Sequence, residues 1–254
     1  MVPVAQTGAR RLLDRLLKRV LRSALPTLAI GVALLSPMAA GADITSAKFT
    51  DPTTRYAHAV LGDDIEWGAL ELRLESGKRL RVVLPESRVF EDLAPRLADI
   101  DLDGDFEVIV VESSQTQGGR LAIYDETGLI AATPFIGRKF RWLAPVGAAD
   151  LDGDGRIEIA YVDRPHLAKT LRIWRFEKGT LTEVAKLDGV TNHRIGEDFI
   201  SGGIRDCGDG PEMVVATANW QTIVAVTFDG SSAVAKDIAS FAGPKSFAAA
   251  LACR

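Results

Sequence analysis

The sequence has little with which to build a familiar active site. Of 254 residues, three are histidine (His58, His166, His193) and two are cysteine (Cys207, Cys253). No Gly-x-Ser-x-Gly elbow, glycine-rich phosphate loop or His-Glu-x-x-His pair occurs, so the signatures of the common hydrolases, nucleotide-binding enzymes and zinc proteases are missing. The histidines lie far apart without the short ligand spacings of a zinc site. A surplus of positive charge is also missing. The chain carries 30 basic and 34 acidic residues, a balance that disfavours a nucleic-acid partner.

Long apolar runs are confined to the N-terminus. Arg10, Arg11, Arg15, Lys18, Arg19 and Arg22 precede a mostly apolar stretch from Ala24 to Ala40, and Ala40-Gly-Ala42 supplies small residues before Asp43. This pattern predicts a secretory signal peptide over residues 1–42. The stretch is short for a membrane span and holds Pro26 and Pro37. The mature chain is therefore expected to be secreted or periplasmic, with no membrane span. Residues 1–42 hold six basic residues and Asp14; without them 24 basic and 33 acidic residues remain, a net charge of −9. Both cysteines lie in the mature part, and an oxidising compartment permits a Cys207–Cys253 disulfide.

What is present is repetition. Asp99-Ile-Asp101-Leu-Asp103-Gly104-Asp105-Phe-Glu107 and Asp150-Leu-Asp152-Gly-Asp154-Gly155-Arg156-Ile-Glu158 lie 51 residues apart. Each has carboxylates at loop positions 1, 3, 5 and 9 and a glycine at position 6. Alternate residues of a tight loop turn their oxygens inward, which suits calcium, and the glycine permits the turn. Asp105 and Arg156, at position 7, would contribute only a backbone carbonyl. The same interval separates Gly77, Gly128, Gly179 and Gly230, each between two apolar runs that read as a β-hairpin.

The loops exit into Phe106–Glu112 and Ile157–Asp163, short and rich in β-branched residues, hence strands. Position 12 holds Val110 and Tyr161 in place of the glutamate of an EF-hand. A calcium loop joining two strands of a four-strand repeat resembles the FG-GAP (or VCBS) repeat, the blade unit of integrin-α-like β-propellers. Position 9 is more often Asp in that family. The resemblance implies an all-β fold: a small β-propeller of about four four-stranded blades, near 44–94, 95–145, 146–196 and 197–254, within a domain spanning 43–254. It also implies up to two structural Ca2+ ions and a role as a binding or scaffold module for a protein or glycan partner. A lectin-like glycan binder is an alternative. A hydrolase or lyase with a site at the propeller channel is another, although no catalytic motif is recognised.

Shifting the second repeat back by 51 puts the first repeat's strand 2 at Arg55–Leu61 and its calcium positions at Lys48, Thr50, Pro52 and Tyr56, none acidic. The fourth repeat keeps only Asp206 and Asp209 in a degenerate loop. Ser246–Ala252 reads as a short helix capped by Ser246. His166 and His193 fall in polar connections, and Trp142 falls in a linker beside Arg141, where an aromatic either packs between repeats or, if exposed, could stack on a ligand. These three are the candidate ligand contacts.

Overall fold

The computed structural model describes residues 43–254; the signal-peptide assignment lies outside them. Backbone pairing follows the hairpin pattern. The first unit comprises β1 (Ile44–Thr53), β2 (Glu66–Leu74) and β3 (Arg79–Val83), followed by a short β4 (Arg88–Phe90). The second comprises β5 (Arg96–Ala98), β6 (Glu107–Ser114), β7 (Gly118–Asp125) and β8 (Gly128–Ala132). The third comprises β9 (Leu143–Ala149), β10 (Glu158–Asp163), β11 (Thr170–Glu177) and β12 (Thr180–Asp188). After β13 (Val190–Thr191) come β14 (Gly203–Asp206), β15 (Pro211–Thr217), β16 (Thr222–Phe228), β17 (Ala233–Ser240) and a helix α1 (Pro244–Leu251). All pairings are antiparallel. The short strand β4 pairs with both β2 and β6 and merges the first two units into one sheet, whereas β13 pairs with β15 in the last sheet.

The second strand of each later unit has an apolar centre, Val108–Val111, Ile159–Val162 and Met213–Ala216, because both of its faces are buried there. Its period of two sorts neighbouring side chains into different cores. Val108 and Val110 of β6 pack with Leu70 and Leu72 of β2, whereas Ile109 and Val111 pack with Ile159 and Tyr161 of β10. Ala160 and Val162 of β10 pack with Met213 and Val215 of β15. Val214 and Ala216 turn the other way, onto Phe247 and Ala250 of α1. The four hairpin glycines all have positive φ, 80°, 127°, 73° and 88° in chain order, where a side chain would be strained.

The two ends of the array differ. The outer face of the first sheet carries charge, with Glu71 paired to Lys48 at 3.3 Å and to Arg79 at 3.6 Å, and Arg81 paired to Asp51. The outer face of the last sheet is covered by α1. Cys207, in the β14–β15 turn, and Cys253 form a disulfide with Cα atoms 5.7 Å apart, which ties the end of α1 to the last sheet.

Two sequence expectations shift. Arg55–Leu61 is not a strand: the partner of β2 is β1, about eleven residues earlier. The shift by one period assumed equal loops, but residues 54–65 connect β1 to β2 where only 115–117 connect β6 to β7. Lys48, Thr50 and Pro52 therefore lie within a strand. The C-terminal helix starts at Pro244 with Gly243 as its cap; Ser246 lies inside, and its Oγ donates to the Gly243 carbonyl at 2.6 Å. Proline at the first turn has no amide to leave unpaired, which favours the earlier start.

Candidate functional site

The acidic loops join β5 to β6 and β9 to β10 and share most of their hydrogen bonds. The position-1 carboxylate accepts the amide of the residue at position 6, Gly104 to Asp99 Oδ2 at 3.2 Å and Gly155 to Asp150 Oδ2 at 2.9 Å. The position-9 glutamate accepts the amide at position 2, Ile100 to Glu107 Oε2 at 2.8 Å and Leu151 to Glu158 Oε2 at 3.0 Å. Asp99, Asp101 and Glu107 bring one oxygen each to within 4.8 Å of one another, as do Asp150, Asp152 and Glu158. Asp103 and Asp154 lie outside these groups and accept the amides of Asp105 and Arg156 at 2.9 and 3.0 Å. Asp99 Oδ1 is buried and has no hydrogen-bond partner among the described residues. A hard cation would satisfy it, and an all-oxygen donor set fits calcium.

The two loops differ in charge. Arg175 of β11 reaches into the second, with Nη2 on Asp152 Oδ2 at 2.5 Å, Nε on Glu158 Oε1 at 2.5 Å and Nη2 on Asp154 Oδ2 at 3.2 Å. One period earlier stands Tyr124, whose hydroxyl donates to Glu112. Burial, then neighbouring aspartates, pushes Glu107 up to about 7, and burial and Asp103 raise Asp101. In the second loop, hydrogen bonding from Arg156 lowers Asp154.

A separate cluster lies where the units converge. Glu91, Trp142 and His193 are one period apart and follow β4, precede β9 and follow β13. Trp142 Nε1 donates to the Glu91 carbonyl at 2.8 Å, and its ring meets His193 edge-on with centroids 5.0 Å apart. His193 Nε2 lies 2.9 Å from the Glu197 carbonyl, which can only accept, so Nε2 carries the proton. His193 Nδ1 then accepts from His166 Nε2 at 3.0 Å. A neutral His166 is left with a lone pair on Nδ1. Burial, then His193 and His58, pushes His166 down to about 4; burial also lowers His193. On the opposite side His58 Nδ1 contacts the buried Glu91, which also takes the Ser113 hydroxyl. Nearby Glu66 is pushed up to about 10 by burial and by Glu91, Asp63 and Asp92.

These groups border a cleft of about 290 Å³, walled by His58, Val60, Phe140, Trp142, His166 and Ile195, with Arg141, Arg164, Pro165 and Leu167 completing its lining. The 54–65 segment reaches it because Val60 accepts the Gly196 amide at 3.1 Å. Ala59, Phe140 and Arg164 have φ of 54°, 58° and 45°. Such positive values are costly for residues with a side chain and gather at functional sites.

Residues 99–161, from the first acidic loop into β10, match the family model described as an FG-GAP-like repeat. The chain carries an FG-GAP-like repeat. The FG-GAP-like segment contains both carboxylate loops, and the same backbone pattern continues on either side of it. No curated protein matches the chain. Among solved structures, the crystal structure of the exotype rhamnogalacturonan lyase YesX is similar at 17% identity and a TM-score of 0.47, over 75% of this chain and 40% of that one. The chain thus spans about two fifths of that lyase. Regucalcin, a calcium-binding protein from Agrobacterium tumefaciens, is similar at 12% identity and a TM-score of 0.33, over 78% of each chain.

Outside and inside the FG-GAP-like repeat, the three expected ligand contacts come together, with different exposures. His166 and Trp142 line the cleft, while His193 lies fully buried behind them. Trp142 is not an exposed stacking platform. It is 2% exposed and its indole N–H is used internally. A large aromatic at the start of β9 fills the junction between units and finds an acceptor for its polar edge. Sequence reasoning missed His58 and Glu91. The signal for Glu91 was available, since it stands in register with Trp142 and His193. The signal for His58 was not, because it belongs to the long β1–β2 connection. Among the described residues no helix is long and apolar enough to cross a membrane.

Proposed function

We propose that residues 43–254 form an open array of four propeller-type blades, stabilised by calcium in the two acidic loops, and act as a binding module outside the cytoplasm. The signal-peptide pattern and the disulfide support the compartment. The observation that carries the binding role is the rim of the cleft. Phe140, Leu167 and Ile195 are 39%, 59% and 73% exposed around one concavity, and apolar surface gathered in this way marks a contact site. Asp99, Asp101 and Glu107, with Asp150, Asp152 and Glu158, would hold the ions, and the position-7 carbonyls would complete each set. The ions would neutralise clustered carboxylates and lock strand to strand.

The test is binding to glycan and peptide arrays by the protein and by a Leu167→Asp/Ile195→Asp variant, with and without a calcium chelator. Loss of a defined ligand in the variant, at unchanged folding, supports the module. An unchanged profile moves the site elsewhere. A second reading, an enzyme acting in the cleft, is favoured by His58, whose imidazole is backed by a buried carboxylate in the manner of a general base.

A further inference from the structure

The lining of the cleft contradicts the charge of the chain around it. Beyond residue 42 the chain has a net charge of −9, yet the cleft is lined by two arginines and two histidines and no carboxylate. Arg164 has its partner in Asp163, which it shares with Arg172. Among the described residues Arg141 has no carboxylate within ion-pair distance, and its side chain makes no hydrogen bond. Arg141 is partly exposed at the cleft beside apolar walls, so its guanidinium is open to a partner from solution. It is also the group best suited to a planar carboxylate.

The rest of the lining restricts what such an anion can be. Val60, Phe140, Pro165 and Leu167 are apolar, so the ligand must carry an apolar body beside its charge. The cleft, of about 290 Å³, has room for a small organic molecule. His166 is held by His193 with Nδ1 unprotonated and adds no charge of its own. With Arg164 held by Asp163, the charge on offer comes from Arg141.

We propose that this cleft binds a small organic carboxylate, its charge paired with Arg141 and its apolar body against Phe140, Val60 and Leu167. The proposal rests on the cleft being the module's binding site and names the class of its ligand.

Benzoate is the probe, benzamide its uncharged counterpart and inorganic phosphate the bare anion. The indole N–H resonance of Trp142, at the cleft wall, reports occupancy in the calcium-loaded protein. Benzoate is expected to saturate this signal at least tenfold more tightly than benzamide or phosphate. Arg141→Gln should weaken benzoate at least tenfold. Arg141→Lys should retain part of the affinity, and Arg138→Gln, at an exposed residue outside the lining, should change nothing. Dispersed spectra of each variant separate loss of binding from loss of fold. Equal affinity for benzoate and benzamide, tighter binding of phosphate, indifference to Arg141→Gln, or no benzoate binding at all would overturn the proposal. If a ligand from the arrays still needs Leu167 and Ile195, the module survives that failure.

Discussion

Trp142 and Glu91 stand at the same position of successive repeats, and the indole of one donates to the backbone carbonyl of the other at 2.8 Å. One side chain therefore joins two units at the point where they converge, behind the cleft. Trp142→Phe would leave a buried carbonyl unsatisfied and a space beside His193. A loss of about 1–3 kcal/mol is expected, measured as a lower urea midpoint at unchanged slope. A stability within 0.5 kcal/mol of the parent, on the scale of a neutral surface change, would show the bond to be dispensable.

The acidic loops should respond unequally to calcium. Arg175 already compensates Asp152 and Glu158, whereas the first loop has no comparable cation among the described residues. Calcium should raise the thermal midpoint by several degrees, as any ligand bound only by the folded state does. Asp101→Asn should remove more of that rise than Asp152→Asn. Arg175→Gln should lower the calcium-free midpoint and enlarge the rise. Equal losses from the two aspartate variants would contradict the asymmetry.

Stability should fall toward both ends of the pH range, for identifiable reasons. Glu66 is raised in the fold to about 10 from an ordinary carboxyl near 4.5. The native state then holds more protons than the unfolded one between those values, so stability is lost as pH rises through that window. His166 is lowered to about 4 from 6.5. Here the unfolded state holds more protons, and stability is lost as pH falls from 6.5 toward 4. Glu66→Gln should flatten the alkaline limb, and His166→Gln the acid limb, in denaturant midpoints taken from pH 4 to 9. Parallel curves for parent and variants would sink both assignments.

Reducing the Cys207–Cys253 bond opens a loop with a sequence separation of 46. The chain-entropy estimate for such a loop is about 4 kcal/mol. The first consequence should be local: protection of amides in α1 and β15 should fall before that in β6 or β10, read by hydrogen exchange. Uniform loss across all units would mean that the array unfolds as one body.

How far the sequence reveals this fold depends on what each element needs. The acidic loops and hairpin glycines are local devices, so their spacing alone located β5 through β12. Within the first repeat only the strand expected at Arg55–Leu61 is misplaced, because the connection before β2 is longer than its counterparts and nothing local announces the insertion. The disulfide could be read because only two cysteines exist. The cleft was legible only in part. His166, His193 and Trp142 point toward it, but with Lys139, Phe140 and Arg141 before it the sequence leaves Trp142 open between a packed aromatic and an exposed one. The His58–Glu91 contact links segments 33 residues apart, a meeting that depends on how the 54–65 segment crosses to Gly196.

The unlike ends of the array have a consequence for its growth. Each internal unit offers valine or isoleucine to both neighbours, so units of that kind can be stacked in any number without leaving an oily face in water. At its termini the stack presents something other than an apolar face: paired charges on β1–β3 at one end, and a helix stapled by a disulfide at the other. Length is set by where these terminators fall, and a duplicated 51-residue segment placed between β8 and β9 would lengthen the stack without altering either of them.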